Sequence, residues 1–262
     1  MAIICPLFSG STGNSTYIAY ENTAVLVDAG ASFKGISEAI ERVGGNINKL
    51  SAVFVTHEHD DHIKGLKTLL KKSGATLVAS EKTLEALISA NKVPEGADVL
   101  AISENGFLKD GIFANRFSTS HDCEGSSGYT FILPDNKKIS VCTDLGIITD
   151  EVRKALTGSN ALLIESNHDL DMLRSGPYPP FLKVRIMSDK GHISNNTCAT
   201  EIKRLFSLGT ERFILGHLSL NNNTPLLARS ATESALMDLN AENGKDYILK
   251  VASPSKNGVI VL

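Results

Sequence analysis

Short apolar runs alternate along the chain with longer segments in which apolar residues recur every three or four positions. The short runs predict buried strands, and the longer segments predict amphipathic helices. Strands are predicted at residues 3–8, 16–20, 24–30, 50–55, 75–79, 128–133, 138–142, 247–251 and 258–261, with two or three more within 99–117, one that runs into polar residues within 161–169, and one followed by a loop within 211–219. Helices are predicted at residues 32–43, 63–72, 81–91, 195–208 and 224–239.

The order of these elements predicts an α/β protein built from two similar halves. Each half is a run of strands followed by helices, and no linker or low-complexity segment separates the two. Turns are predicted at Glu104-Asn105-Gly106 and Lys109-Asp110-Gly111, between the short strands of residues 99–117. We therefore expect residues 1–262 to form a single domain.

Composition and charge exclude few classes of protein. The chain has 262 residues, of which 42% are hydrophobic and 21% charged, and its net charge of −3 gives no overall attraction to polyanions. Its four cysteines show no Cys-x-x-Cys pair, which is typical of free thiols in a reducing compartment. The first residues lack the pattern of a signal peptide, and no apolar run is long enough to span a bilayer. We expect a cytoplasmic protein with no membrane association and no obligatory protein partner.

The strongest chemical signal is the heptapeptide Thr56-His57-Glu58-His59-Asp60-Asp61-His62, which follows the predicted strand 50–55. It holds three of the seven histidines of the chain together with three carboxylates. Imidazole and carboxylate groups are the usual ligands of zinc and of harder first-row divalent ions. His57 and His59 alternate and can share one metal, whereas Asp61 and His62 are adjacent and can serve a second. A polar loop that is rich in histidine by chance is the alternative.

Other polar residues also follow predicted strands, namely Asp28, His121, Asp144, Glu165, His168 and His217. Taken singly, each aspartate is equally typical of a turn or a helix cap, Glu165 of a capping acid, and His168 of a surface histidine. Two Gly-His-[Ile/Leu]-Ser segments compete for the last metal ligand. We favour His217, which directly follows an apolar strand, over His192, which precedes a helix.

The pattern His-x-His-x-Asp-His after an apolar strand resembles the signature of the metallo-β-lactamase superfamily, and the resemblance extends over nearly the whole chain. It implies an αββα four-layer sandwich in which two sheets face each other. It also implies that Asp28 helps to hold the histidine loop without being a ligand. The ligands implied are His57, His59 and His121 for one metal and Asp61, His62 and His217 for the other, with Asp144 bridging the two.

Within this superfamily the chain most closely resembles the YycJ/WalJ-like group, which are thought to be DNA exonucleases. This resemblance rests on the loop from Phe8 to Ser15, the Thr-His-Glu-His-Asp-Asp-His form of the metal loop, and three further motifs: Cys142-Thr143-Asp144-Leu145-Gly146, Glu165-Ser166-Asn167-His168-Asp169 and Gly191-His192-Ile193-Ser194-Asn195. It implies 5′-3′ hydrolysis of single-stranded DNA, in DNA repair, by a hydroxide that bridges two zinc, manganese or iron ions roughly 3.5–4 Å apart.

A likeness to relatives of tRNase Z implies a proton relay. In that scheme Glu165 orients or tunes His192, and His192 protonates the departing 3′ oxygen. We count Asp61, Glu165, His168 and His192 as candidate catalytic residues.

Four residues are candidates for substrate binding: Ser11, Asn14, Lys64 and Asn195. Ser11 and Asn14 lie in a Gly/Ser/Asn loop that could present polar groups to a phosphate, although a plain hairpin turn is the other interpretation. Lys64, Lys67 and Lys71 are spaced to lie on one helix face beside the metals, or on a solvated face.

Two other functions stay open at this point. One is a small-molecule metallo-hydrolase, such as a cyclic phosphodiesterase or a hydrolase of thioesters or lactams, which would use the same metal chemistry. The other is a metal-holding regulatory or scaffold protein without activity.

Overall fold

The computed structural model describes residues 1–103 and 106–262, and two mixed β-sheets organise this part of the chain. The first sheet has the strand order β14 (Ile260–Val261), β1 (Ala2–Phe8), β2 (Ser15–Tyr20), β3 (Thr23–Val27), β4 (Leu50–Phe54), β5 (Thr76–Ala79) and β6 (Val99–Ala101). Strands β3 to β6 run parallel to one another, whereas β1 pairs antiparallel with both β2 and β14.

The second sheet repeats this plan in the second half of the chain. Its strand order is β13 (Ile248–Val251), β12 (Arg212–Gly216), β11 (Ala161–Glu165), β10 (Lys138–Cys142), β9 (Ser127–Ile132), β8 (Ile112–Ser118) and β7 (Phe107–Lys109). Strands β10 to β13 are parallel, and β7 to β10 form antiparallel pairs. Parallel strands end on the same side of a sheet, so each half gathers several strand ends at one edge.

Helices cover the outer faces of both sheets. The helices are α1 (Phe33–Arg42), α2 (Asp60–Ile63), α3 (Leu66–Ser73) and α4 (Glu81–Ser89) in the first half, and α5 (Asp150–Leu156), α6 (Leu170–Ser175), α7 (Pro180–Ile186), α8 (Asn195–Ser207) and α9 (Pro225–Met237) in the second. One apolar cluster joins the first sheet to α1, α3 and α4, and another joins the second sheet to α5, α8 and α9.

A third apolar cluster fills the space between the two sheets. Phe54 of the first sheet packs edge to face on Phe131 and Tyr129 of the second, with ring centroids 4.9 and 5.2 Å apart. Full burial of such side chains stabilises a fold by about 1.5–3 kcal/mol each. Two facing sheets with helices outside form an αββα sandwich, so the predicted fold class is confirmed.

Most predicted elements are present with ends shifted by a few residues. Three helices were not predicted: α5, which is capped by the Thr149 side chain, and the short α6 and α7 on either side of a proline-rich turn. The turn predicted at Lys109-Asp110-Gly111 joins β7 to β8, where Asp110 and Gly111 have φ angles of 50° and 83°. The turn predicted at Glu104-Asn105-Gly106 lies partly outside the described residues.

The predicted helix 63–72 is wrong in its bounds, because it is two helices with a break at Lys64 and Gly65. The N–H of Gly65 donates to the carbonyl of Ala29 at 2.8 Å instead of continuing the helix. A Cβ on Gly65 would lie 2.0 Å from the carbonyl oxygen of Ala31, so only glycine allows this approach. Helix α2 is thereby held against the segment that follows β3.

No helix among residues 1–103 and 106–262 combines the length and the apolarity that crossing a membrane requires.

Candidate metal centre

Strand ends from both sheets meet at one edge of the sandwich. The first sheet brings Asp28 after β3 and the histidine loop of residues 57–62 after β4. The second sheet brings His121 after β8, Asp144 after β10, Glu165 at the end of β11 and His217 after β12. Three of these residues, Asp28, Asp144 and His217, have φ angles of 64°, 59° and 53°. This left-handed backbone turns the chain sharply at the strand end and directs the side chain toward the edge of the sandwich where the strand ends meet.

Each of three buried histidines has one ring nitrogen fixed by the protein. The Nδ1 atom of His62 lies 2.7 Å from Oδ2 of Asp28. The Nδ1 atom of His57 lies 3.0 Å from Oγ1 of Thr56, and Nδ1 of His121 lies 3.3 Å from the carbonyl oxygen of Gly191. Such contacts fix the tautomer and leave Nε2 as a lone-pair donor. Asp28 also accepts the backbone N–H of Thr56 at 2.8 Å, as expected of a residue that holds the loop.

Among the described residues the donor atoms form four overlapping groups, and two of these are the predicted triplets, which we call the two clusters. In the first, one ligand atom each of His57, His59 and His121 lies within 4.8 Å of the others. In the second, the same holds for Asp61, His62 and His217. The structure therefore brings together both predicted triplets.

Asp144 lies between the two clusters. Its Oδ2 atom is 3.3 Å from Nε2 of His62, and its Oδ1 atom is 3.9 Å from Nε2 of His121. Among the described residues, neither Oδ2 of Asp144 nor Nε2 of His217 has a hydrogen-bond partner, although both atoms are buried. Buried polar atoms without a partner are costly unless something else binds them. This donor set suits divalent cations in both clusters.

The electrostatics of the pocket favour a bound cation. Burial lowers the pKa of His57 well below its ordinary value, so its imidazole is neutral and free to ligate. Burial also lowers the pKa of His62, but the carboxylates of Asp28 and Asp144 outweigh that effect and raise the pKa to about 10, so a metal ion bound at Nε2 would have to displace a proton. Burial raises the pKa of Asp144, yet the histidines around it, first His217 and His62, hold it well below its ordinary value. The carboxylates are therefore ionised, and positive charge is favoured beside them.

Glu165 connects two histidines at the floor of the site. Its Oε1 atom lies 2.8 Å from Nδ1 of His192 and 2.7 Å from Nδ1 of His217, while its Oε2 atom accepts the backbone N–H groups of Leu145 and Ile193. The carboxylate is completely buried; burial raises its pKa, but His192 and His217 lower it to about 2. Burial lowers the pKa of His192 as well, and Glu165 reverses this, so the pKa of His192 is raised overall.

A cavity of about 230 Å³ opens onto these groups. Ser11, His59, Asp61, His192 and His217 are among the residues that line it. Ser11 and Asp61 also line an adjoining groove, together with Thr12, Asp60, Lys64 and Lys92. The predicted residues Ser11 and Lys64 therefore lie on a surface that continues from the metal cluster to solvent.

Asn14 was predicted to bind substrate, but the structure gives it another position. It is buried, its Nδ2 atom donates to Oδ2 of Asp61 at 3.2 Å, and its backbone N–H donates to the carbonyl of Asp61 at 2.7 Å. Its Oδ1 atom accepts the N–H of Gly10. These contacts fix Asp61 at the second cluster. The Gly/Ser/Asn loop therefore contributes to the site by holding the candidate ligand Asp61 through Asn14.

Asn195 and His168 are not brought to the cavity. Asn195 is 2% exposed, accepts from Oγ of Ser166 and donates to Oδ1 of Asn223, so both polar atoms of its amide already bond within the protein. His168 is also 2% exposed, and burial lowers its pKa to about 4. Neither residue lines the cavity. These positions favour structural roles over the predicted substrate-binding role of Asn195 and catalytic role of His168.

The predicted stripe of three lysines is divided by the helix break. Lys67 donates to the backbone and side-chain oxygens of Asn91, and Lys67 and Lys71 line a separate groove beside Pro94 and Glu95. Only Lys64 of the three lies beside the metal clusters. The stripe assumed one continuous helix, and the close approach of Gly65 to Ala31 prevents that helix.

Three residues that contact the candidate metal-ligating histidines were missed by sequence reasoning: Thr56, Asp122 and Gly191. Asp122 lies 3.3 Å from Nε2 of His121 and 3.6 Å from Nε2 of His59, and it forms an ion pair with Arg185. Its position next to His121 in the sequence was the available signal. Gly191 contributes a backbone carbonyl, for which residue type gives no signal.

An αββα sandwich with histidine and aspartate side chains gathered at one edge is typical of one class of enzymes. The chain belongs to the β-lactamase superfamily: a family profile described as a β-lactamase superfamily domain matches residues 23–218. It is a metal-dependent hydrolase of that superfamily.

Individual relatives within the superfamily are similar to nearly the whole chain. The exodeoxyribonuclease YycJ of Bacillus anthracis is 36% identical over 250 residues, covering 95% of this chain and 94% of the relative. The exodeoxyribonuclease WalJ of Streptococcus pneumoniae is 36% identical over 251 residues, covering 95% and 93%. Among solved structures, the metallo-β-lactamase fold protein YhfI of Bacillus subtilis matches with a TM-score of 0.73 at 14% identity, covering 99% of this chain and 98% of that one. At that identity the structural likeness shows the fold alone.

Proposed function

We propose that this chain is a two-metal exonuclease that degrades single-stranded DNA from the 5′ end. The observation that carries the proposal is the pair of donor clusters on either side of Asp144, in a chain 36% identical to exodeoxyribonucleases over 95% of its length. The 5′-3′ direction follows the resemblance to the YycJ/WalJ-like group.

The ligand sets follow from the two clusters. His57, His59 and His121 would hold one ion, and Asp61, His62 and His217 the other, with Asp144 shared between them. Nitrogen and carboxylate donors suit zinc, manganese or iron. When bound, a pair of such ions supplies an activated water and neutralises charge on a phosphoryl group.

We propose His192 as the proton donor. Glu165 fixes Nδ1 of His192, so the opposite ring atom, Nε2, is left for the cavity that His192 lines. Burial lowers the pKa of His192, but Glu165 raises it overall, which favours the protonated ring that a proton donor needs. As the bond between phosphorus and the 3′ oxygen breaks, His192 donates its proton to that oxygen, and Glu165 stabilises the ring without touching the substrate.

Ser11 and Lys64 are the proposed binding residues for phosphate groups of the strand. Both line the groove that adjoins the cavity, and Ser11 lines the cavity as well. The Lys92 side chain in the same groove forms an ion pair with Asp60 at 2.9 Å, which leaves Lys64 to meet a phosphate. Positive charge at this edge matters because the chain as a whole is acidic.

The direct test is a time course on single-stranded DNA that carries a 5′-phosphate and a 3′-label, with manganese. Digestion from the 5′ end gives a ladder of shorter labelled strands, whereas digestion from the 3′ end releases the label at once as a mononucleotide. The Asp144→Ala variant should lose the ladder. The exposed Asp150→Ala variant, on α5, is the matched control and should retain it.

The outcomes separate the alternatives. Hydrolysis of a small cyclic phosphodiester, thioester or lactam without any cleavage of DNA would favour the small-molecule hydrolase. Cleavage that survives in Asp144→Ala would place the reaction outside this site and contradict the proposal.

A further inference from the structure

Residues 172–190, which we name the rim segment, lie beside the metal clusters and expose apolar side chains. They contain the end of α6, the proline-rich turn and α7. Helix α7 buries none of its seven residues. Phe181 is 74% exposed and Val184 is 66% exposed. A helix that presents an aromatic ring to solvent in this way has not been placed there by core packing.

The rim segment is held in place by backbone contacts to the loops of the site. The N–H of His192 donates to the carbonyl of Ile186 at 2.9 Å, and the N–H of Gly191 donates to the carbonyl of Ser188 at 2.9 Å. A Cβ on Gly191 would lie 2.2 Å from the carbonyl oxygen of Ile186. On the other side, a Cβ on Gly146 would lie 2.3 Å from the carbonyl oxygen of Asp189. The segment is therefore seated on the loops that follow Asp144 and precede His192.

The same segment is basic in an acidic chain. It carries Arg174, Lys183, Arg185 and Lys190 but only one acidic residue, Asp189, whereas the chain has a net charge of −3. Arg185 is paired with Asp122, which also lies beside His59 and His121. Lys190 is exposed and lines the cavity.

The surface of the rim segment is continuous with the cavity of the site. Tyr178, Leu182, Arg185, Ile186 and Lys190 line that cavity together with His192 and His217. The hydroxyl of Tyr178 accepts from Nδ2 of Asn221, which ties the turn to the loop after His217. Phe181 lies four residues before Arg185, on the same face of α7, and Arg185 lines the cavity, so the ring is within reach of a strand that leaves the cavity.

We propose that the rim segment is the binding surface for the single-stranded nucleic acid that leads into the site. Phe181 stacks on an unpaired base, and Lys190 pairs with a backbone phosphate next to the cavity. An exposed ring beside basic side chains suits a single strand, since paired bases in a duplex offer no free face for stacking. This inference rests on the proposed function, because it extends the same site.

The test compares two substrates in four variants. For each, kcat/KM is measured on a twelve-nucleotide thymidine oligomer and on bis(p-nitrophenyl) phosphate with the manganese-loaded enzyme. In Phe181→Ala and Lys190→Glu, the ratio of the two values should fall about tenfold, mainly through a higher KM for the oligomer. Leu208→Ala, directly after α8, and Lys154→Glu, on α5, are exposed controls, and their ratio should stay unchanged.

Three results would overturn the proposal. If both activities fall in parallel, the segment supports the metal loops and does not bind the strand. An unchanged ratio in both rim variants would remove the segment from substrate binding. If Phe181→Ala instead converts a dimer to a monomer with an unchanged ratio, the surface binds a second copy of the chain. Should the wild-type enzyme cut neither substrate, the proposed function fails, and fluorescence anisotropy of the oligomer still tests the rim segment through the same variants.

Discussion

A single carboxylate, Glu165, positions two histidines that serve different purposes. Its Oε1 atom lies within 2.8 Å of Nδ1 in both His192 and His217. His217 offers its other nitrogen to the second cluster, and His192 lines the cavity. A change in this one side chain should therefore affect a proposed metal ligand and the proposed proton donor together.

We expect Glu165→Gln to lower kcat by about 10–100-fold, the range found when a group that orients a metal-ligating histidine is changed. Glutamine retains the shape but loses the charge that stabilises both imidazoles. Steady-state kinetics on single-stranded DNA measures the effect, and metal content shows how much of it passes through His217. The exposed Glu211→Gln variant is the control. An unchanged kcat would mean that Glu165 has only a structural role.

The division of the lysine stripe gives a matched pair of variants. Lys64→Glu should weaken binding of single-stranded DNA and reduce the slope of log affinity against log salt by about 0.7. Lys71→Glu carries the same charge change into the separate groove and should have no such effect. The two salt titrations measure this difference, and equal losses in both variants would show that only overall charge matters.

The residue scale is also where sequence reasoning reached its limit. The donor types at strand ends, together with the resemblance to the metallo-β-lactamase superfamily, predicted the members of both clusters and the pairing of Glu165 with His192. The structure brings these residues together. Nothing in the sequence distinguished Asn14, which faces Asp61, or Asn195, which is enclosed by Ser166 and Asn223. Those roles depend on which direction an amide faces after packing, and residue type does not encode that direction.

At the scale of elements, the ends of strands and the starts of helices control the site. Helix α2 begins at Asp60, so the second half of the histidine loop is already helical and Asp61 and His62 face different partners. The loop is held from outside by the contact of Gly65 with the segment after β3. The helix break is thus part of the construction of the metal centre.

Gly65→Ala should disturb both stability and metal binding. Its Cβ would lie 2.0 Å from a backbone oxygen that cannot move aside freely, and such overpacking costs about 1–3 kcal/mol. Gly74→Ala is the comparison, because no atom lies within 4 Å of the new Cβ. Gly74 has a φ of 66°, so the variant should suffer only the backbone strain of about 1–2 kcal/mol. Thermal unfolding and metal titration should show that both variants lose stability and that only Gly65→Ala loses metal affinity. Intact metal affinity in Gly65→Ala would separate the helix break from the site.

Elements were predictable where periodicity was strong. Every predicted strand is present, and so is every predicted long helix except 63–72, which is divided into α2 and α3, because alternation and spacing report burial directly. The failures fall where local signals are short or conflicting: α6 and α7 surround a turn with three prolines, and neither helix exceeds seven residues. At that length, contacts with the rest of the molecule decide the conformation.

At the scale of the whole molecule, the sandwich is held by apolar packing that does not involve the metal centre. The cluster between the sheets contains buried side chains from both halves and lacks all the proposed metal ligands. Folding and metal binding should therefore be separable.

Removal of the metals with a chelator should leave the far-ultraviolet circular dichroism spectrum unchanged. The temperature of unfolding should fall, because a bound ion stabilises only the folded state, by about 2.7 kcal/mol at a hundred times its dissociation constant. His57→Ala should behave like the chelated protein and have no activity. A spectrum of an unfolded chain in either sample would mean that the metals also hold the fold together.

Each donor cluster draws on both sheets: the first joins His57 and His59 to His121, and the second joins Asp61 and His62 to His217. This division sets the order of events during synthesis. A ribosome that has released only the first half of the chain presents incomplete sites, and the second cluster lacks a donor until residue 217 has joined its sheet. Both complete ligand sets therefore exist only after the two halves have docked, and we expect hydrolysis to begin only then.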